Sequence, residues 1–184
     1  MAHGIVGLLD LETERAVRAM WEQLGRRFGL RQIHTIPYPH VSLLVFAAFE
    51  PTLVSALDTM SGSPAPPLRA DGWMLFAGGD STASAAVRTV SVSRSLLDLR
   101  TAVVVRCGPH VNGISPFMAD GAWTPHITCA GRDLSARAAG EVFAWLAETN
   151  PAAWEGTVVA LGLLVEEDGG HRLVRRVELG EPGN

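Results

Sequence analysis

The hydrophobic positions of the chain follow two different spacings. Residues 5–9 form a short apolar run typical of a strand. From Leu11 to Phe28 the apolar residues recur every three or four positions, which predicts a helix that ends at Gly29. Residues 40–46, rich in apolar and β-branched side chains, then predict a second strand. The chain is therefore expected to open with a strand, a helix and a strand.

The same alternation continues to the end of the chain. We predict a helix at 51–60, a loop at 61–67, a strand at 68–76, a turn at Gly78-Gly79-Asp80, a strand at 86–93, a helix at 96–106 capped by Ser95, a long loop at 108–121, a strand at 123–130, a helix capped by Asp133, and a terminal hairpin with strands 157–166 and 171–179. The element order repeats, so one domain, 1–184, is predicted to consist of two lobes, approximately 1–80 and 81–184, related by a pseudo-twofold axis.

The second strand of each predicted half carries the same short motif. The motifs are His40-Val41-Ser42-Leu43 and His126-Ile127-Thr128-Cys129, 86 residues apart and each preceded by a proline. Because side chains alternate along a strand, the histidine and the hydroxyl residue of each motif share one face. The pseudo-twofold axis would bring the two motif strands face to face.

Two imidazoles across a cleft suit phosphoester chemistry near neutral pH, since one can accept a proton from the nucleophile while the other donates one to the leaving oxygen. The neighbouring hydroxyls can donate hydrogen bonds to phosphoryl oxygens. This chemistry needs no metal and no cofactor. The sequence therefore favours acid/base catalysis by His40 and His126.

The amino-acid composition excludes several reaction classes and partners. All 15 basic residues are arginine, so a Walker A loop, Schiff-base chemistry and a lysyl-AMP ligase are excluded. The net charge of −4 argues against a protein that holds long double-stranded nucleic acid. The two cysteines have no metal-site spacing, and no apolar run is long enough to cross a membrane. With no basic leader at the N-terminus, we expect a cytoplasmic protein.

The paired motifs resemble those of the 2H phosphoesterase superfamily, and within it the bacterial 2',5' RNA ligase-like proteins. The resemblance covers nearly the whole chain and implies a bilobal α+β fold, in which two antiparallel sheets line a central cleft with helices on the outside. It implies that His40 and His126 are catalytic and that Ser42 and Thr128 bind phosphate. Relatives often place an arginine closer to the second motif, so Arg132 is a candidate phosphate ligand that is also readily explained as a solvated residue.

Several other residues are weaker candidates for the functional site. Tyr38 precedes His40 by two positions and is a candidate substrate contact, with core packing equally well supported. The remaining histidines, which lack a hydroxyl two residues later, are expected at the surface or at caps; they are His3, His34, His110 and His171. Four aromatic residues could stack a base, although buried packing is favoured for each: Trp73, Phe76, Phe117 and Trp123. A triad of Ser42, His126 and Asp133 is poorly supported, because the sequence has no nucleophile elbow.

The expected function is hydrolysis of a nucleotide or RNA-terminal 2',3'-cyclic phosphate by a monomeric, metal-independent cyclic phosphodiesterase. Two alternatives stay open. One is a 2',5' RNA ligase or phosphodiesterase acting on oligonucleotide ends, and the other is a non-catalytic module that binds nucleotides or RNA.

Overall fold

The computed structural model describes residues 3–76, 85–150 and 152–181, so the predicted turn at Gly78-Gly79-Asp80 lies outside the described residues. The α+β class is confirmed, with helices around antiparallel sheets. The helices are α1 (Leu11–Phe28), α2 (Thr52–Asp58), α3 (Arg94–Cys107) and α4 (Ala136–Thr149). The strands are β1 (His3–Leu9), β2 (His40–Phe46), β3 (Ala48–Phe49), β4 (Pro67–Phe76), β5 (Ala85–Val90), β6 (Val111–Asn112), β7 (His126–Ala130), β8 (Trp154–Glu167) and β9 (Gly170–Glu178).

Helix α1 matches its predicted bounds because residues next to each end determine where the helix begins and ends. The Asp10 side chain accepts a hydrogen bond from the Thr13 backbone N–H at 2.9 Å, which caps the first turn. Gly29 adopts a left-handed conformation with φ of 73°, which ends the helix at little steric cost. The apolar face, including Met20 and Trp21, is buried against the sheet. Burial of this face supplies most of the stability of the helix.

Two predicted helix caps were wrong. Ser93 rather than Ser95 caps α3, because the Ser93 hydroxyl accepts the Leu96 backbone N–H. Ser135 rather than Asp133 caps α4. The Asp133 carboxylate instead accepts the backbone N–H groups of Arg31 and Gln32, at 2.6 and 2.8 Å. A tertiary contact, which sequence spacing does not reveal, thus takes this side chain away from the helix.

The predicted loop at 108–121 contains regular structure. Two short 3-10 helices, Gly108–His110 and Pro116–Met118, flank strand β6. Strand β6 pairs with β3 in a two-stranded antiparallel sheet. These elements are too short to show a period in the sequence, so the sequence pattern alone predicts a loop there.

Among the described residues, seven strands form one antiparallel sheet in the order β1-β2-β7-β5-β4-β8-β9, with an additional pairing of β1 to β8. The first residues of β8, 154–157, pair with β4, and the following residues, 158–164, pair with β1. Strands from both halves of the sequence are therefore interleaved. The two motif strands, β2 and β7, are direct neighbours through Val41 and Ile127, so they lie side by side and not face to face.

The helices cover the apolar side of this sheet. Helix α1 packs against β7 and β8, α3 against β2 and β4, and α4 against β4 and β5. Val41, Leu43, Ile127 and Cys129 are fully buried on the helix side. The opposite side of the two motif strands therefore carries the half-buried polar residues of both motifs.

One buried arginine ties α4 and the start of β8 to the sheet. The guanidinium of Arg88, on β5, donates to the backbone oxygens of Ala70 at 3.2 Å, Asn150 at 2.8 Å and Ala152 at 2.5 Å. It also lies over the rings of Trp73 and Trp154, 4.4 and 5.3 Å from their centroids. Burial lowers the pKa of Arg88, yet arginine remains charged at any relevant pH. Within the described residues, no helix is long and apolar enough to cross a bilayer.

Candidate active site

The four motif residues share one face of two adjacent strands. Val41 lies directly opposite Ile127, and the antiparallel direction places His40 beside Thr128 and Ser42 beside His126. All four side chains are half-buried. Each imidazole therefore has the hydroxyl of the other motif as a cross-strand neighbour, and the two motifs together form one polar surface.

The same hydrogen bond holds each imidazole. His40 Nδ1 lies 2.8 Å from the Tyr38 carbonyl oxygen, and His126 Nδ1 lies 2.7 Å from the Thr124 carbonyl oxygen. A carbonyl can only accept, so Nδ1 must carry the proton in both rings. Nε2 of the neutral ring is then an acceptor, and Nε2 of the protonated ring is a donor. Nε2 of each histidine can therefore accept or donate a proton, depending on the charge of the ring.

Burial lowers the pKa of both histidines. Desolvation lowers the pKa of His40 from 6.5 to about 4, the Tyr38 carbonyl raises it in part, and the charges of His171 and His126 lower it further. Desolvation also lowers the pKa of His126, against the opposing effect of the Thr124 carbonyl. At neutral pH His40 is therefore a neutral base in the unliganded protein. The charge of His126 affects His40, so the two rings lie within electrostatic range of each other.

Two tryptophans fix the backbone at the hydroxyl positions. Trp123 Nε1 donates to the Ser42 carbonyl oxygen at 2.9 Å, and Trp21 Nε1 donates to the Thr128 carbonyl oxygen at 3.0 Å. Trp21 belongs to the first half of the sequence and supports the second motif, while Trp123 belongs to the second half and supports the first. Each half thus positions the motif of the other.

An arginine lies over each of these indole rings. Arg100 is 4.8 Å from the Trp123 centroid and also bonds the Asp120 carboxylate at 3.2 Å and the Met118 carbonyl. Arg18 is 6.0 Å from the Trp21 centroid. Cation–π contacts of this kind stabilise the ring position by about 0.5–2 kcal/mol. The arginines therefore hold the indoles that in turn hold the motif strands.

Two small cavities adjoin the motif residues. The first cavity, about 100 Å³, is lined by His3, Ile36, His40, Ser42 and His171, among others. The second cavity, about 130 Å³, is lined by Gln32, Ile36, Thr128, Arg132 and His171, among others. Ile36 and His171 line both cavities. The structure thus brings Arg132 to the second motif, although its side chain is largely exposed.

Among the aromatic candidates, Phe76 stands beside a motif histidine. Its ring centroid is 4.9 Å from that of His126, and the side chain is 36% exposed. Trp73 packs against Trp154, as expected for buried packing, and Phe117 is 75% exposed. Phe76 therefore remains available for stacking a base beside His126.

The other candidate residues have different surroundings. Tyr38 contributes its backbone carbonyl to His40, while its ring packs against the small apolar cluster of Val6, Leu8, Ala160 and Leu164. Asp133 bonds backbone N–H groups and His126 bonds Thr124, so the triad of Ser42, His126 and Asp133 is not formed.

The remaining histidines lie in three settings. His110 bonds the Thr52 hydroxyl at the start of α2 but caps no backbone group of that helix. His34 is exposed, and its ring meets that of Trp21 edge-on with 6.0 Å between the centroids. His3 and His171, predicted at the surface or at caps, instead line the first cavity.

Within the described ranges, no group of three or more histidine, cysteine, aspartate or glutamate side chains is arranged to hold a metal ion. Both cysteines are buried thiols. Burial raises the pKa of Cys107 to about 11 and that of Cys129 to about 12, so neither is a thiolate at neutral pH. The histidines and hydroxyls remain the reactive groups of this face.

The family model of the 2'-5' RNA ligase superfamily matches residues 11–170. The chain belongs to the 2'-5' RNA ligase superfamily. The match spans both motifs, both tryptophans that support them, and β8, the first strand of the terminal hairpin. No curated protein matches the sequence significantly. The family assignment and the paired motifs agree with the resemblance to 2H phosphoesterases.

Several solved structures share the fold of this chain. The protein TT0787 of Thermus thermophilus is 14% identical with a TM-score of 0.61, over 97% of both chains. E. coli LigT without ligand is 13% identical with a TM-score of 0.60, again over 97% of both chains. E. coli LigT complexed with 3'-AMP is 16% identical with a TM-score of 0.59, over 96% of both chains. At these identities the likeness concerns the fold.

Sequence reasoning missed the roles of three residues near the site. Trp21 and Trp123 donate to carbonyl oxygens 107 and 81 positions away, and His171 lies at the junction of the two cavities. A tryptophan three residues before His126 was the only local signal. No spacing rule predicts the partner of an indole N–H so far along the chain.

Proposed function

We propose that this member of the superfamily is a cyclic phosphodiesterase that hydrolyses a 2',3'-cyclic phosphate of a nucleotide or RNA end. The observation that carries the proposal is the shared face of the two motifs. Both imidazoles hold a proton at Nδ1 against a carbonyl, which leaves Nε2 for proton transfer, and each lies beside the hydroxyl residue of the other motif. A cyclic phosphate needs these two functions, since proton transfer and stabilisation of phosphoryl oxygens act together.

In the proposed reaction, His40 Nε2 takes a proton from water, and the water oxygen forms a bond to phosphorus. The bond between phosphorus and one ribose oxygen breaks, and protonated His126 gives its Nε2 proton to that oxygen. Ser42 and Thr128 donate hydrogen bonds to the phosphoryl oxygens. The product is a ribose monophosphate with one free hydroxyl, and proton return from His40 through solvent to His126 completes the cycle.

The pKa directions support this assignment of roles. A pKa of about 4 keeps His40 neutral throughout the neutral range, as a base requires. His126 must be protonated to act as the acid, and its pKa is also lowered in the unliganded protein. A bound phosphate anion raises the pKa of a neighbouring histidine, so the substrate itself would promote protonation of His126.

The expected substrate is small. The net charge of −4 disfavours extended phosphate contacts, and the cavities beside the motifs hold only about 100 and 130 Å³. LigT, which shares the fold, has been crystallised with 3'-AMP. We propose that a single chain acts on a nucleotide-sized cyclic phosphate or on the terminal residue of an RNA.

The test is a product-resolved assay of purified protein with the four nucleoside 2',3'-cyclic monophosphates, with and without EDTA. We expect turnover that EDTA leaves unchanged and that His40→Ala and His126→Ala each reduce at least about 10²-fold, the lower range for a lost general acid or base. His110→Ala, on a histidine that bonds Thr52 and lines neither cavity, is the matched control. Full activity in either motif variant would refute the assignment.

The superfamily description favours a second candidate, ligation or cleavage of a 2'-5' linkage at oligonucleotide ends. The same four residues would act, because a ribose hydroxyl can replace water as the nucleophile. Short RNAs with a cyclic phosphate at one end and a free hydroxyl at the other separate the two reactions. A 2'-5' joined product would identify the ligase, whereas binding without any product between about pH 5 and 8 would identify a non-catalytic module.

A further inference from the structure

His171 is a third histidine at the motif face. It lies at the start of β9 and is paired across the hairpin with Glu166. Its side chain lines the first cavity together with His40 and Ser42, and the second together with Thr128 and Arg132. Its charge lowers the pKa of His40, which places the two imidazoles within electrostatic range. His171 therefore lies where the surfaces of the two motifs meet.

One atom of this side chain has no partner. Nδ1 of His171 is buried and makes no hydrogen bond to any described residue. Burying a polar group without a partner costs about 1–3 kcal/mol, and such atoms in native proteins usually meet a ligand or water. The motif histidines differ, since each has its Nδ1 satisfied by a carbonyl two residues earlier. The unpartnered nitrogen thus indicates a missing hydrogen-bond partner beside the cavities.

The neighbours of His171 indicate what that partner is. Ser42, Thr128 and Arg132, which line the same cavities, all offer hydrogen-bond donors. Among the described residues, Glu166 is the acidic residue that lines the second cavity. It already has an interaction partner. A group surrounded by several donors should be an acceptor with several lone pairs, and phosphoryl oxygens meet that description.

We propose that His171 is a third substrate-contacting histidine, whose Nδ1–H donates a hydrogen bond to a phosphoryl oxygen of the bound substrate or product. This proposal rests on the proposed function for its substrate class, a phosphate ester. His171 does not transfer the proton in the reaction. It holds the phosphate against Ser42 and Thr128 while His40 and His126 exchange protons with the water and the leaving oxygen.

The experiment compares two substitutions of similar size. His171→Asn keeps an N–H donor near the position of Nδ1, while His171→Leu removes it. Binding of inorganic phosphate and of adenosine 3'-monophosphate is measured by calorimetry, and the imidazole nitrogens of wild-type protein are followed by ¹⁵N NMR during the titration. His110→Leu, on a histidine that bonds the Thr52 hydroxyl and lines neither cavity, is the matched control, and thermal melting of every variant reports on folding.

We expect His171→Leu to weaken phosphate binding by about 10- to 100-fold, the value of one hydrogen bond to a charged group. His171→Asn should stay within about threefold of wild type, and the Nδ1 resonance of His171 should shift on titration. If His171→Leu binds phosphate as tightly as wild type, the proposal is wrong. It is equally wrong if the Asn and Leu variants lose the same affinity together with their melting temperature, because that pattern indicates a structural role.

The result also separates this proposal from the proposed function. Phosphate binding that depends on His171, without turnover of any cyclic phosphate, would refute the hydrolase and keep the third contact. Turnover with a KM that His171→Leu leaves unchanged would refute the third contact and keep the hydrolase. An intact hydrolase with a KM raised about 10-fold or more and a nearly unchanged kcat would support both.

Discussion

The low pKa of His40 predicts a specific dependence of stability on pH. In the unfolded chain the imidazole has its ordinary pKa of 6.5, whereas burial lowers the pKa in the folded protein to about 4. As pH falls below 6.5 the unfolded state takes up a proton that the folded state does not, so stability is lost between pH 6.5 and 4. A difference of about 2.5 pKa units corresponds to about 3 kcal/mol once the pH is below both values.

The perturbation that tests this is His40→Asn, whose side-chain amide can still donate to the Tyr38 carbonyl. Urea unfolding between pH 7.5 and 5 should show wild type losing about 2 kcal/mol more than the variant over that interval, because most of the shift is expressed there. His126 also has a lowered pKa, but it is present in both proteins and so contributes to both curves.

His34→Asn, which removes an exposed imidazole, controls for the loss of one histidine. An equal pH dependence in wild type and His40→Asn would refute the reasoning that His40 is held neutral by burial. It would also weaken the assignment of His40 as the base, since that assignment depends on the same low pKa.

Three further substitutions test the supports of the site. Trp123→Phe removes the N–H that bonds the Ser42 carbonyl, so we expect a loss of about 1–3 kcal/mol in urea unfolding and a lowered kcat in the cyclic phosphate assay. Arg88→Met leaves three carbonyl oxygens without their donor, one of them on the fully buried Ala70, and calorimetric melting should show a loss of about 3 kcal/mol or more. Phe76→Ala should raise KM by about 5- to 150-fold for nucleoside substrates, the value of about 1–3 kcal/mol for stacking one base, with little change for a base-free cyclic phosphate.

The tryptophan and phenylalanine substitutions each have a matched control within the chain. Trp145→Phe alters a half-buried tryptophan that packs on Phe28, away from the motif strands, and should leave kcat unchanged. Phe117→Ala removes a ring that is 75% exposed and should leave KM unchanged. A kcat for Trp123→Phe equal to that of Trp145→Phe would contradict a positioning role for the indole N–H, and an unchanged KM for Phe76→Ala would contradict stacking.

Much of the fold was predictable because its signals are local. The apolar period of α1, its Asp10 cap and its Gly29 end lie within one stretch of chain, and the bounds of α1 and β2 agree with the sequence patterns. The helix caps of α3 and α4 were missed because several serines and an aspartate compete within a few residues. Which of them faces the helix depends on the tertiary fold, as the contact of Asp133 with Arg31 shows.

In the candidate site, too, the features that depend on neighbouring residues were predictable and those that depend on tertiary contacts were not. Alternation along a strand placed His40 with Ser42 and His126 with Thr128, and the structure puts each pair on one face. The partners of Trp21 and Trp123, and the position of His171 between the cavities, depend on strands brought together from distant parts of the chain. The sequence also could not show that the motif strands are neighbours within one sheet, since a repeat of elements is compatible with several pairings.

Strand β8 has a consequence for the history and the engineering of this fold. It pairs with β4 and then with β1, while β4 of the first half pairs with β5 of the second, so each half of the chain completes hydrogen-bonded edges of the other. A half expressed alone would expose those edges, and unpaired edges recruit other strands. Two identical halves would meet the same need by exchanging strands, as in a domain-swapped dimer. Gene duplication followed by fusion would thus convert an intermolecular exchange into the single chain seen here, and splitting the chain near residue 80 should yield fragments that recover structure only when mixed.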